Sequence, residues 1–238
     1  KLKKVSLIKV ISLALVTSFL ISIRISGILI FFQYLITLII YLNLSSINFE
    51  FKKVLIKKLT LFFPLCFLFI YLLYPVFWKN PLEILNAIKF MSQHHNDICT
   101  VTFGKCIRSL NLDSNYIYLW LLVKLPIIVI IGLILIPFTE KKIFKNDTNK
   151  IFFGTILISI FLIPLTLIFM KVALYDEIRQ VVFLVPLLIL IGVSSFYFFF
   201  KKKSYLVLLV FIGLFIYENV KIFPYQYVWM NYPSRVIE

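Results

Sequence analysis

The side chains best suited to chemistry lie in Asp176-Glu177-Ile178-Arg179, just ahead of a long apolar run that begins at Val181. An arginine guanidinium is a planar fork of donors that pairs bidentately with phosphate. Beside a membrane, the phosphate at hand belongs to a lipid headgroup or to a lipid-linked substrate. A structural reading stands next to this one: Arg179 snorkels to the surface, or pairs with Asp176 three residues back. Lys124, inside another apolar run, is a second base that can meet an acid or a phosphate. Glu218 lies near the end of the last apolar run. An acid at such a depth is costly and points to function, while Lys221, three residues on, offers it a structural partner.

Cys99 and Cys106 are close enough for a hairpin to bring them into disulfide range, with two free thiols as the other reading. Cys66 lies in an apolar run and is read as packing. His94-His95-Asn96-Asp97 has metal-ligand residue types. Adjacent histidines diverge in both helix and strand, however, and the paired spacing of a zinc site is missing. The segment reads as a solvated loop, with no metal expected. The tail packs Tyr225, Tyr227, Trp229 and Tyr232 around Asn231. It is either an aromatic anchor at a membrane interface or a platform facing a sugar or headgroup. No phosphate-binding glycine loop, Walker lysine, metalloprotease His-Glu pair or serine elbow occurs. That argues against a nucleotide-driven enzyme, and no cofactor is expected.

These residues must be positioned by apolar helices. The 238-residue chain is 62% hydrophobic and 15% charged, against about half and about a quarter in soluble domains. Its mean hydropathy is +1.01. It reads as an integral membrane protein, an all-α polytopic bundle. Spanning takes about 20 apolar residues, and seven segments qualify: Val5–Ile23, Ile25–Leu42, Leu59–Trp78, Leu119–Phe138, Ile151–Met170, Val181–Phe200 and Tyr205–Phe223. The net charge of +15 does not mark a nucleic-acid binder, because the lysines sit in small clusters between these segments. Alternate links hold Lys1, Lys3 and Lys4; Lys52, Lys53, Lys57 and Lys58; Lys141, Lys142, Lys145 and Lys150; and Lys201, Lys202 and Lys203. An excess of lysine marks the cytoplasmic side. The amino end is then inside, and Lys79–Tyr118, Lys171–Gln180 and the tail from Pro224 are outside.

The Lys79–Tyr118 loop is the one long polar interval. Asn80-Pro81-Leu82-Glu83 has the form of a helix start, with Asn80 as cap and Pro81 at the first position. A short amphipathic helix is expected over Pro81–Gln93, lying along the membrane surface. Cys99–Cys106 alternates like a strand or hairpin, with the bend at Phe103-Gly104. Prolines 64, 126, 164 and 186 lie inside spans and should kink them.

Four stretches resemble a known family. They are Ile21–Phe31 (ISIRISGILIF), Tyr74–Ser92 (YPVFWKNPLEILNAIKFMS), Leu174–Pro186 (LYDEIRQVVFLVP) and Pro224–Ser234 (PYQYVWMNYPS). In order and topology they resemble the carboxyl-terminal half of GT-C membrane glycosyltransferases related to the protein mannosyltransferases (glycosyltransferase family 39). The family's Arg-His is Arg179-Gln180 here. The resemblance implies a partial GT-C fold and transfer of a sugar from a polyprenyl-phosphate donor to a glycan, lipid or protein acceptor outside a bacterial inner membrane. It implies that Arg179, with Tyr175 and Asp176 beside it, faces the donor phosphate. The general base would come from an acidic loop upstream of Lys1, so the chain reads as one transmembrane region of a larger enzyme. The alternatives are a lipid-linked substrate transporter or flippase subunit, and a non-catalytic membrane remnant.

Overall fold

A computed structural model describes residues 6–23, 25–43, 49–87, 98–102, 104–169, 172, 174 and 176–235. Nine α-helices lie among the described residues: α1 Leu7–Ile23, α2 Ile30–Asn43, α3 Phe49–Leu73, α4 Tyr116–Lys124, α5 Ile127–Ile134, α6 Ile136–Ile143, α7 Asp147–Phe169, α8 Leu184–Phe200 and α9 Ser204–Lys221. A two-stranded hairpin, β1 Cys99–Thr102 and β2 Lys105–Arg108, precedes α4. The chain forms two compact units, Lys1–His94 and His95–Glu238.

Among the described residues three helical stretches are long and apolar enough to cross a membrane: Ile56–Leu73, Asp147–Phe169 and Leu184–Lys221. The pair α4 and α5 makes a fourth if its bend is counted within one span. Seven separate spans were expected, and the difference has local causes. The fourth expected span is broken by 118° between Lys124 and Ile127. The last two expected spans join in one helical run, Leu184–Lys221, interrupted where Lys201 adopts φ 53°. The first two are represented by Leu7–Ile23 and Gly27–Asn43, helical stretches below spanning length within the described residues.

In the first unit α1 packs on α3 through Val10, Ala14, Phe62 and Cys66. The Ser18 hydroxyl donates to the Cys66 carbonyl at 2.9 Å, a polar contact between helices in an apolar setting. After the short 3-10 turn Pro75–Trp78, Asn80 Oδ1 accepts from the Leu82 N–H at 3.2 Å. This is the side-chain cap expected of Asn80. Helical backbone follows at 83–87, and the rest of the expected amphipathic helix lies outside the described residues.

In the second unit α5 crosses α8 backbone to backbone. A Cβ on Gly132 would lie 1.9 Å from the Gly192 carbonyl oxygen, and one on Gly192 would lie 2.7 Å from that of Val129. Small residues permit such close approach, which is how helices gain contact where lipid is the solvent. At the far end of α8, Phe199 meets Phe138 edge-on, and Lys142 Nζ donates to the Phe198 carbonyl at 3.1 Å. A cation among the last carbonyls of a helix complements its dipole. α9 has Ser204 as its buried residue. Leu206, Leu209 and Val220 stay open, as suits a helix solvated by lipid. In the hairpin, Gly104 takes φ 72° in the two-residue bend, a conformation glycine adopts without a Cβ penalty.

Candidate functional site

The turn ahead of α8 holds two of the three left-handed non-glycine residues among the described residues. Asp176 and Glu177 are both left-handed, with φ 64° and 58°. For residues with a Cβ this costs about 1–2 kcal/mol each, so neighbours must hold the turn in place. α4 supplies them. The Tyr116 hydroxyl accepts from the Glu177 N–H at 3.0 Å, and Lys124 Nζ meets Glu177 Oε2 at 2.6 Å. The two side chains leave the same helix about two turns apart, so one face of α4 grips one residue of the turn. The Lys124 side chain is only 7% exposed, and its ammonium lies 5.5 Å from the Trp120 ring centre. Together the carboxylate and the ring hold a cation that would otherwise be poorly solvated there.

On the open side of the same turn, Arg179 pairs with Asp176 at 2.8 Å. Their side chains are 72% and 57% exposed, so this pair contributes at most about 1 kcal/mol to stability. Val181 and Leu184, which follow, are buried and anchor the start of α8. The result is a turn clamped from inside by Tyr116 and Lys124 that offers a guanidinium outward. Such an arrangement can bind an anion without rearranging its backbone.

The second cluster joins α9 to the tail. Glu218 Oε2 accepts from Trp229 Nε1 at 2.9 Å and from Arg235 at 2.7 Å. Asn231 is buried, and its backbone N–H donates to the Val123 carbonyl at 2.9 Å. Its amide nitrogen donates to the Leu122 and Leu125 carbonyls, and its amide oxygen accepts from Ser234. Each polar atom of that amide is therefore engaged. Tyr225 is exposed in the same tail. The expected partner of Glu218, Lys221, gives way to Arg235.

Cys99 and Cys106 are joined in a disulfide with Cα atoms 5.5 Å apart. The strand register pairs Cys99 with Arg108 and Val101 with Cys106, so the two cysteines are diagonal neighbours on one face. Tyr175 and the His94-His95-Asn96-Asp97 segment lie outside the described residues, as does the Tyr227 side chain. Among the described residues no three His, Cys, Asp or Glu side chains converge as a metal group would.

Of the residues singled out from sequence, Asp176 and Arg179 share one turn, and Lys124 reaches that turn through Glu177. Glu218 and Asn231 belong to the tail cluster. Tyr116 and Glu177 fix the turn; the sequence marks Glu177 within the charged run and Tyr116 as an aromatic suited to a membrane interface, but does not bring the two together. The available signal was a tyrosine and a lysine eight residues apart on one helix, facing a run with two acids. Fold and site together define a predominantly helical chain with membrane-spanning-type helices and a clamped turn of paired acids and bases at one helix start. Comparison with protein families, characterised proteins and solved structures finds no match.

Proposed function

We propose that the chain is the membrane part of a glycosyltransferase that draws its sugar from a polyprenyl-phosphate donor and passes it to a glycan, lipid or protein acceptor at the outer face of a bacterial inner membrane. The observation that carries this reading is the clamped turn. Its backbone strain is held by Tyr116 and Lys124, and it leaves Arg179 presented outward next to the apolar start of α8. A phosphate there would exchange with the Asp176 carboxylate, which already occupies the guanidinium fork. During sugar transfer the lipid phosphate leaves with its charge increased, and a fixed guanidinium stabilises that charge.

Orientation is supported by the two ends of α8. Lys142 reaches the Phe198 carbonyl, so the lysine clusters 141–150 and 201–203 meet at one end, and the Asp176–Arg179 turn lies at the other. Lysine excess at one end is the cytoplasmic signature, which supports an outer position for the turn. The 38-residue run Leu184–Lys221 carries Lys201–Lys203 near its middle. It exceeds the roughly 20 residues that cross a bilayer once, which favours two crossings joined at those lysines.

Binding of a polyprenyl-phosphate sugar to the chain in lipid nanodiscs tests the proposal, with the unphosphorylated polyprenol as control. Arg179→Ala should weaken binding of the phosphorylated lipid by about tenfold or more and leave the control unchanged. Equal binding by variant and parent rejects the phosphate role. Movement of the bound lipid across the bilayer without sugar transfer would make the chain a transporter instead.

A further inference from the structure

The tail cluster carries a separate site. Glu218, Trp229 and Tyr232 border a cleft of about 280 Å³ whose other walls include Pro126, Ile127 and Phe215. That is just below the roughly 300–1,000 Å³ of pockets for drug-sized ligands, and it suits a headgroup better than a whole lipid. The lining is mostly apolar, with one ion pair at its border. Glu218 uses only Oε2, shared by Trp229 and Arg235, and among the described residues Oε1 accepts no hydrogen bond. Arg235 is tethered by its Nε to the Met230 carbonyl at 2.8 Å, and its guanidinium carbon lies 5.9 Å from the Trp229 ring centre. The site thus already holds a cation between a carboxylate and an aromatic face, the combination that recognises ammonium groups.

We propose that this cleft binds the zwitterionic phosphoethanolamine headgroup of a membrane phospholipid, with the ammonium at Glu218 and Trp229 and the phosphate at Arg235. Charge complementarity selects this occupant. A lone anion drawn to Arg235 would leave Glu218 without its cationic partner, and a lone cation drawn to Glu218 would leave Arg235 without its anionic one. A headgroup carrying both charges satisfies both ends of the pair when they separate. The position agrees, since the cluster sits at the end of α9, whose exposed apolar flank suits lipid. The headgroup enters beside that exposed apolar flank, and the apolar wall of Pro126, Ile127 and Phe215 receives its glycerol end. This site does not depend on the glycosyltransferase reading.

Native mass spectrometry of the full chain, released from micelles holding equal phosphatidylethanolamine and phosphatidylglycerol, tests the inference. The two lipids share the phosphate and differ in the ammonium. The unaltered chain should retain the ethanolamine lipid about tenfold better, the discrimination of one charge-assisted contact. Glu218→Gln should abolish that preference, and Arg235→Gln should weaken retention of both lipids. Equal retention of the two lipids by the unaltered chain overturns the proposal, whether or not the variants fold. So does a preference that survives Glu218→Gln.

Discussion

Pro126 and Pro164 sit in apolar runs of similar length, yet they have opposite effects. Each removes the N–H that would bond the carbonyl four residues earlier, that of Leu122 in one case and Ile160 in the other. α7 continues through Pro164 from Asp147 to Phe169. At Pro126 the chain leaves the helix, with Leu125 and Pro126 extended at ψ 137° and 140°, and α5 departs at 118° to α4. Proline creates the opening in both places. At Pro126 another segment uses it: Asn231 donates to the carbonyls of Leu122, Val123 and Leu125, and so satisfies a helix end that lipid could not. A break in a membrane helix is therefore a property of two segments, the one that breaks and the one that receives the freed groups.

The largest effect should come from Asn231→Asp. The shape is kept, but the two amide donors become a carboxylate oxygen facing the Leu122 and Leu125 carbonyls. Each buried carbonyl left without a donor costs about 1–3 kcal/mol, and repulsion adds to it, so a loss on the order of 4 kcal/mol is expected. Thermal unfolding in detergent would show this directly, and proteolysis of the tail would rise with it. Unchanged stability would mean that the tail merely rests on the break. A smaller but clear effect is expected at the other anchor of α5. Gly132→Ala places a methyl 1.9 Å from the Gly192 oxygen and must force α5 and α8 apart, at about 1–3 kcal/mol. Gly213→Ala is the control: its Cβ would meet nothing within 4 Å, and alanine is the better helix former by about 1 kcal/mol. Equal losses at the two glycines would contradict the close crossing.

What could be read from sequence was local. Apolar runs mark α3, α7 and the α8–α9 stretch. Asn80 before Pro81 marks a cap, and alternation with a glycine marks the hairpin over Cys99–Cys106. The i, i+3 spacing allows Asp176 to pair with Arg179, beside snorkelling and phosphate binding. What escaped depends on partners distant in sequence. Asn231 meets carbonyls 106 and 109 residues earlier, and those carbonyls belong to the backbone, so no side-chain type announces them. Glu177 meets Lys124 and Tyr116 because α4 passes the turn. The sequence shows the turn's charges but not its left-handed backbone, because Asp176 and Glu177 are forced into it from outside. Gly132 and Gly192 look like unremarkable residues in apolar runs until two backbones are seen to touch there.

Pro126→Ala separates cause from consequence at the smallest energetic scale. The substitution returns an N–H that can point at the Leu122 carbonyl, so proline acting alone would predict that α4 and α5 straighten. That carbonyl already accepts from Asn231, however, and its second lone pair can take the restored donor without displacing the amide. Straightening would also carry α5 away from the Gly132–Gly192 crossing and strip the Val123 and Leu125 carbonyls of Asn231. Those losses exceed the roughly 1 kcal/mol net gain of one hydrogen bond. The bend should persist, with stability changed by about 1 kcal/mol or less. Spin labels at Tyr118 and Ile131 would read the same separation in variant and parent. A separation that lengthens toward that of a continuous helix would show that proline, and not the asparagine 105 residues later, sets the angle.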